Sequence, residues 1–252
     1  MSSTVVQPPA APEPAALSEG ARLIDTFVAP SKTFTDLRRS AKWWAPFLVL
    51  AIVGVCFVYV VDQKIGFRKV TENQIQMSPK NAARLDQMPA AERDRAIERQ
   101  VVITRYISYV YWIFILIWNV IVALILFATF KLVAGAEIKY STSLAIVMYA
   151  SLPLALRSVL AMISVLAGVS ADSFTFQNPV ASNPGYFLDP NNSRFLYSIG
   201  SSLDIFMIWT LVLTAIGFTC VSKLKRSTAL AGVFGWYVVF TLAAAGLAAA
   251  FS

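Results

Sequence analysis

Long uncharged apolar blocks alternate with shorter polar segments along this chain. The first block, 43–61, holds nineteen residues without a charged side chain. An α-helix needs roughly 20 mainly apolar residues to cross the hydrocarbon core of a bilayer, so blocks of this length predict membrane-spanning helices. We predict five spans, at about 43–61, 107–133, 142–169, 198–221 and 228–251.

The segments outside the spans differ in composition. Residues 1–20 are rich in Pro and Ala and lack an apolar core, which predicts a disordered tail without a cleavable signal. In residues 21–42, two short apolar stripes separated by Pro30 lie among basic residues, which predicts interfacial helices in the headgroup layer. A solvated linker is the alternative for that segment.

The loop 62–106 is long and charged, and Pro79 and Pro89 can each open a helix there. From Ala90 onward an apolar stripe runs through charged residues, so a helix can continue straight into the second span as a stalk. The alternative is a solvated helix that breaks at Thr104 and Arg105.

Composition supports a membrane protein. The chain of 252 residues is 57% hydrophobic and 14% charged, whereas soluble domains carry about 25% charged residues. We therefore predict an all-α, polytopic transmembrane bundle over residues 43–252. The net charge of +7 comes from basic residues beside spans, where anionic lipid headgroups are nearer partners than nucleic acid. We expect membrane lipids as partners and no nucleic acid.

The orientation of a membrane protein is usually predicted from the Lys and Arg residues in its loops. Here the two sides of the membrane carry ten each, so the count does not decide. Arg38, Arg39 and Lys42 immediately before the first span favour a cytoplasmic amino terminus. Five spans then place the carboxyl terminus outside. In a bacterium the membrane would be the cytoplasmic one.

Residues for familiar chemistry are scarce. The chain has no His, and it contains no CxxC, HExxH, GxSxG, GxGxxG or Walker-type motif. Cys56 and Cys220 are far apart in sequence and are interpreted as buried, inert thiols. We therefore predict no catalytic residue, no metal site and no cofactor.

Three polar residues interrupt the apolar spans: Asn119, Arg157 and Asp204. A charge in hydrocarbon costs at least about 2.5–3.5 kcal/mol, so Arg157 and Asp204 should face the bundle interior or a headgroup. We hypothesise that they pair, either as a lock between two helices or as part of a path for a substrate or a proton. Pro153 in the same span as Arg157 predicts a helix kink.

Tryptophans and small residues suggest further contacts. Trp43, Trp44 and Trp112 stand at span ends and are predicted interfacial anchors. Small residues between 244 and 250 allow close helix packing, either inside the bundle or in a homo-oligomer.

Three stretches resemble the Yip1 domain family, in its bacterial branch: RLIDTFVAPSKTFTDLRRSAKWWAPFLVL, MYASLPLALRSVL and SLDIFMIWTLVLTAIGF. The resemblance implies a five-span bundle with a cytoplasmic amino terminus. It also implies architectural roles for Pro30, Pro153, Asp204 and Trp209. Eukaryotic members are linked to vesicle trafficking and to small GTPases of the Rab class, whereas the resemblance supplies no activity for bacterial members. The long charged first loop and Arg157 depart from the family pattern.

Two functions from different classes fit these features. The first is a non-enzymatic membrane organiser or scaffold that binds lipids or other membrane proteins. The second is a small transporter, channel or lipid-moving protein that uses Arg157, Asp204 and Asn119 inside the bundle. An intramembrane enzyme would need a second acid–base group beside Asp204.

Overall fold

The computed structural model describes residues 15–250, and over that range its regular structure is entirely helical. Four helices are long and apolar enough to cross a membrane: Trp44–Lys64, Tyr111–Val133, Tyr140–Leu166 and Arg226–Ala250. A fifth crossing results if the bent pair Arg194–Ser202 and Ile205–Val221 counts as one span. The predicted fold class, an all-α polytopic bundle, is confirmed.

The helices are numbered here in chain order. Their bounds are α1 Glu19–Val28, α2 Pro30–Asp36, α3 Trp44–Lys64, α4 Phe67–Gln76, α5 Pro79–Asp86, α6 Ala90–Tyr109, α7 Tyr111–Ala128, α8 Tyr140–Ala150, α9 Leu152–Leu166, α10 Arg194–Ser202, α11 Ile205–Val221 and α12 Arg226–Ala250. A π-helical turn, Thr129–Val133, extends α7, and a 3₁₀ turn, Pro184–Phe187, precedes α10.

The two ends of the chain fall partly outside the described residues. Residues 1–14 of the predicted tail and residue 251 of the predicted fifth span belong to that part. The tail prediction is two residues too long, because Ser18 caps α1 and helix begins at Glu19. The Ser18 hydroxyl accepts the N–H of Ala21 at 3.1 Å, which satisfies an amide that a helix start leaves free.

The core of the bundle surrounds α8, in which every residue from Ser143 to Ala150 is buried. Helices α7 and α11 pack against α8, and α3 packs along α9. In the second contact Phe57 and Val61 of α3 share an apolar cluster with Ala161 and Val165 of α9. Large apolar side chains on the outer faces of the spans stay exposed, as lipid-facing positions require.

The third span is broken where Pro153 predicts a kink. Helix α8 ends at Ala150 and α9 begins at Leu152, with Pro153 in its first turn. Proline has no N–H to donate to the preceding turn, so the chain restarts the helix where a missing donor costs least. Together α8 and α9 still form one apolar segment of 27 residues.

The fourth span differs from the continuous helix predicted over 198–221. Helices α10 and α11 meet at Leu203 and Asp204 with a bend of 52°. Asp204 is the N-cap of α11, with an extended backbone (φ −78°, ψ 132°). An aspartate that accepts the first free amides of a helix starts that helix, and hydropathy alone does not detect such a restart.

The charged loop after the first span is largely helical. Pro79 is the first residue of α5 and Pro89 the N-cap of α6. Helix α6 continues through Thr104 and Arg105, so the alternative of a break there is wrong; the predicted stalk is helical as far as Tyr109, and a turn at Val110 separates it from α7. Arg105 Nη2 lies 3.1 Å from Asp62 Oδ1 at the end of α3, which ties α6 to the first span.

The amino-terminal helices α1 and α2 are docked on the bundle. Phe34 and Leu37 on α2 are fully buried, and Phe34 packs closely against Gly217 of α11. The apolar side of α2 therefore contacts protein, whereas the sequence suggested contact with lipid. On α1 the stripe is divided, because Phe27 packs on the core while Ile24 and Val28 are 65% and 73% exposed.

Candidate functional site

The bend between α10 and α11 gathers polar groups around the Asp204 carboxylate. Its Oδ1 accepts backbone N–H groups from Phe206 at 2.9 Å and Met207 at 3.3 Å. A carboxylate at this place also lies at the positive end of the α11 dipole. Asp204 is only 3% exposed, so these contacts compensate for the burial of its charge.

The second oxygen of Asp204 collects side-chain donors from two other segments. Ser182 donates its hydroxyl hydrogen to Oδ2 in a short hydrogen bond, and Asn183 Nδ2 lies 3.4 Å away. Arg157 Nε of α9 lies 3.3 Å from the same oxygen, so the structure places Arg157 and Asp204 in contact. We call Arg157, Ser182, Asn183 and Asp204 the Asp204 cluster.

Arg157 is less completely bound than its partner. Its Nη2 donates to the carbonyl of Gln177 at 2.9 Å. Its Nε is buried without a well-oriented hydrogen bond, although it is near Asp204. The side chain of Arg157 is 23% exposed, against 4% for Asp204. The carboxylate is therefore the centre of the cluster and Arg157 one of several donors.

A second layer of hydrogen bonds fixes the loop 167–193 over the end of the bundle. Asn183 Nδ2 donates to Asn178 Oδ1 at 3.0 Å, and Asn178 Nδ2 donates to Tyr197 and Ser201 of α10 at 2.9 and 2.8 Å. Gly185 sits so close to α10 that an added Cβ would lie 2.2 Å from Ser201 Oγ. This end of the bundle is a tightly built cap.

A second buried charge cluster lies where α1 and α2 dock. Arg22 donates from Nε to Asp36 Oδ2 at 2.8 Å, and its Nη1 lies 3.2 Å from Glu19 Oε1. Tyr149 of α8 donates its hydroxyl hydrogen to Glu19 Oε2 at 2.8 Å. We call Glu19, Arg22, Asp36 and Tyr149 the Arg22 cluster.

The electrostatics of the Arg22 cluster favour the charged arginine. Arg22 is 2% exposed. Burial opposes its charge, but the hydrogen bond to Asp36 and the attraction of Asp36 and Glu19 outweigh burial and raise the pKa of Arg22 above its ordinary value. This cluster is hard to predict from the sequence, because Arg22 stands in a short amphipathic segment where a charge is expected to face water. The i, i+3 spacing of Glu19 and Arg22 was the one available signal.

The remaining predicted site residues lie elsewhere. Asn119 is buried, and its Nδ2 lies 3.6 Å from Met148 Sδ of α8, so its contact is separate from the Asp204 cluster. Trp43 and Trp112 both contact the ring of Phe47, at 6.1 and 6.0 Å between centroids. Trp44 is 48% exposed. Their role as interfacial anchors stays a prediction.

Neither cysteine is paired, and Cys56 is exposed on α3 where a buried thiol was expected. Within residues 15–250, no group of three or more His, Cys, Asp or Glu side chains is arranged to hold a metal ion.

A bundle with four to five apolar crossings defines a multi-pass integral membrane protein. The family model of the Yip1 domain matches residues 24–248, from α1 into α12. The chain therefore belongs to the Yip1 domain family, as its sequence resemblance predicted. No curated protein and no solved structure matches this chain.

Proposed function

We propose that this Yip1-domain protein is a non-enzymatic membrane organiser that binds lipid through its amino-terminal helices. The observation that carries the proposal is the geometry of α1. The Arg22 cluster fixes one side of this helix to the bundle, while Ile24 and Val28 remain 65% and 73% exposed. A rigidly held apolar edge is suited to lie among acyl chains at the membrane surface.

The segment after α2 supports the same proposal. Arg38, Arg39 and Lys42 are exposed between α2 and α3, beside the exposed ring of Trp44. Basic side chains next to an interfacial tryptophan favour anionic headgroups. We place this face on the cytoplasmic side, with the carboxyl terminus outside. In a bacterium the membrane would be the cytoplasmic one.

A scaffold role also requires partners within the membrane. Helix α12 packs on α10 and α11 but has few buried residues, and it exposes Val238, Val239 and Leu242. A second copy or another membrane protein would cover this face. We give lipid the first place because the exposed apolar edge of α1 is held in place by the Arg22 cluster and is followed in the chain by exposed basic residues.

The alternative is a transporter, channel or lipid-moving protein that uses Arg157, Asp204 and Asn119. The contacts of Asp204 favour a structural role instead, because both oxygens are occupied by donors of the chain itself. Asn119 binds a different helix, away from that carboxylate. Reconstituted vesicles that pass ions, small solutes or lipids only when Arg157 and Asp204 are intact would favour transport over organisation.

The membrane-organising proposal is tested by reconstitution. The wild-type chain is placed in vesicles containing anionic lipid, and their size and shape are measured by electron cryomicroscopy. We expect remodelled vesicles with the wild type and spherical ones with the double variant Ile24→Ser, Val28→Ser. The matched control is Val238→Ser, Val239→Ser, which alters two similarly exposed apolar residues of α12 and should retain the effect.

Two results would contradict the proposal. One is a wild-type chain that leaves the vesicles unchanged at every protein-to-lipid ratio at which it is incorporated. The other is an equal loss of remodelling in the α1 and α12 variants, since the effect would then come from apolar surface in general.

A further inference from the structure

A cleft of about 300 Å³ opens between α4 and the loop 167–193. Its volume is at the lower end of the range for small-molecule sites. Amide, hydroxyl and aromatic side chains dominate its wall, chiefly Asn73, Gln76, Thr175, Tyr186, Asn191 and Tyr197. None of the residues of α1 or α2 described by the structure lines it, so it is separate from the proposed lipid-binding edge.

Asn73, which lines the cleft, has an acceptor without a donor. Asn73 is 4% exposed, and its Nδ2 donates to the carbonyls of Ala171 at 2.8 Å and Phe174 at 2.9 Å. These two acceptors fix which side of the amide carries nitrogen. The other atom, Oδ1, is buried and has no partner within the described residues. A buried acceptor of this kind is costly unless a ligand or water supplies a hydrogen.

Tyr197, which also lines the cleft, has a donor without an acceptor. The Tyr197 oxygen accepts from Asn178 Nδ2 at 2.9 Å, and Tyr197 is 5% exposed. For its own hydroxyl hydrogen, the part of the chain that the structure describes offers no bonded acceptor. An acceptor and a donor without partners, both on residues that line the cleft, match a hydroxyl group, which both donates and accepts.

The charges of the cleft are balanced. Asp172 is the one charged residue among the described lining side chains, and its Oδ1 lies 2.5 Å from Lys69 Nζ. Hydrogen bonding to Asp172 raises the pKa of Lys69, so the lysine stays charged and the pair stays neutral. A ligand here needs no net charge, and the exposed Tyr186 ring offers an apolar face for carbon-bound hydrogens.

We propose that this cleft binds the hydroxyl groups of a sugar or polyol. Such a group can belong to a glycolipid headgroup or to a free saccharide. Next to Tyr186 the same turn exposes Phe187 by 76% and Leu188 by 41%. This apolar rim beside the spans suits a hydroxylated headgroup whose acyl chains lie in the bilayer.

The test uses the full chain in detergent and native mass spectrometry. The probes are a diglucosyl diacylglycerol, a phosphatidylcholine with the same acyl chains, and free maltose. Retention of the diglucosyl lipid over phosphatidylcholine, with competition by maltose, supports a headgroup site. Binding of maltose as tight as that of the lipid supports the hydroxyl site with a soluble source. Equal retention of both lipids without maltose binding overturns the proposal.

Variants separate the cleft from general effects. Gln76→Ala with Asn191→Ala removes two exposed amides of the wall, and we expect binding to weaken about tenfold. The matched control is Gln74→Ala with Asn192→Ala, which alters exposed residues of the same types just outside the cleft. Met77→Trp, which fills the space, should abolish binding. Equal losses in the paired variants would contradict the site.

The same assay on Ile24→Ser, Val28→Ser separates this inference from the proposed function. That variant should bind the diglucosyl lipid as the wild type does, because the altered residues do not line the cleft. Loss of binding in this variant would show that α1 holds the lipid and would overturn the cleft as its site.

Discussion

Two arginines of this protein form ion pairs with buried carboxylates, and their surroundings differ in a way that the residue type does not reveal. Arg22 is enclosed by two carboxylates, and its guanidinium is the centre that joins α1, α2 and α8. Around Asp204 the carboxylate is the centre, and Arg157 stands at the edge with one well-formed hydrogen bond. In each cluster, removing the residue with the most contacts should lower the free energy of unfolding most. That residue is Arg22 in the Arg22 cluster and Asp204 in the Asp204 cluster.

The largest effect should come from Arg22→Leu. It leaves Glu19 and Asp36 facing each other without a counter-charge, and breaking a buried ion pair in this way costs about 3–5 kcal/mol. The free energy of unfolding in mixed detergent and sodium dodecyl sulphate measures the loss. Trypsin cleavage at Arg38 measures local release of α1 and α2.

Lys32→Leu is the control for Arg22→Leu. Lys32 pairs with Asp25 in the same helical pair, but its side chain is 61% exposed. An exposed pair contributes about 0–1 kcal/mol. If the two variants lowered the free energy of unfolding by similar amounts, the burial of Arg22 would not contribute to stability.

Asp204→Ala should have the next largest effect, about 2–4 kcal/mol, because it removes the cap of α11 and leaves the buried hydroxyl donor of Ser182 without an acceptor. The same unfolding titration reports it. Asp189→Ala is the control, since Asp189 is exposed and accepts only the N–H of Asn191 within the loop. If Asp204→Ala lowered the free energy of unfolding no more than the control does, Asp204 would not be the residue that holds its cluster together.

Arg157→Leu should cost only about 1 kcal/mol, because one hydrogen bond to a carbonyl is lost and Asp204 keeps its other donors. Combining it with Asp204→Ala should add little to the aspartate variant alone, as expected for residues in one network. If Arg157→Leu were as damaging as Arg22→Leu, the contrast between the two clusters would fail. Loss of a transport activity with an intact fold would assign Arg157 to a path instead.

The contrast also explains which features the sequence could predict. Arg157 and Asp204 stand out because each interrupts an apolar block, and a charge in such a block needs a partner. Arg22 stands among polar neighbours, so no pattern distinguished a buried arginine from a solvated one. Asp36 stands 14 positions from Arg22, and the Tyr149 hydroxyl reaches Glu19 across 130 positions.

The helices show the same limit. Hydropathy places the apolar segments because lipid requires long uninterrupted blocks, and Pro153 marks the break in the third span. The bend at Asp204 escaped detection, because its cause is one capping carboxylate, which hydropathy does not register. The cleft was equally invisible, since its wall combines α4 with a loop about a hundred residues later.

The smallest effect on stability should come from Ile24→Ser with Val28→Ser. These residues lie on the same helix as Arg22 but face outward, so their replacement removes little contact within the protein. We expect the free energy of unfolding in detergent to change by no more than about 0.5 kcal/mol per site, as for exposed positions without special contacts. The control is Leu23→Ser with Phe27→Ser, which alters the neighbouring residues that pack on the core and should clearly lower the free energy of unfolding.

If the outward pair proved as destabilising as the inward pair, the exposed edge would have to contact protein in a form that the monomer lacks. An unchanged fold is what makes the α1 variant a fair probe of lipid binding, because any loss of vesicle remodelling must then come from the surface that α1 presents.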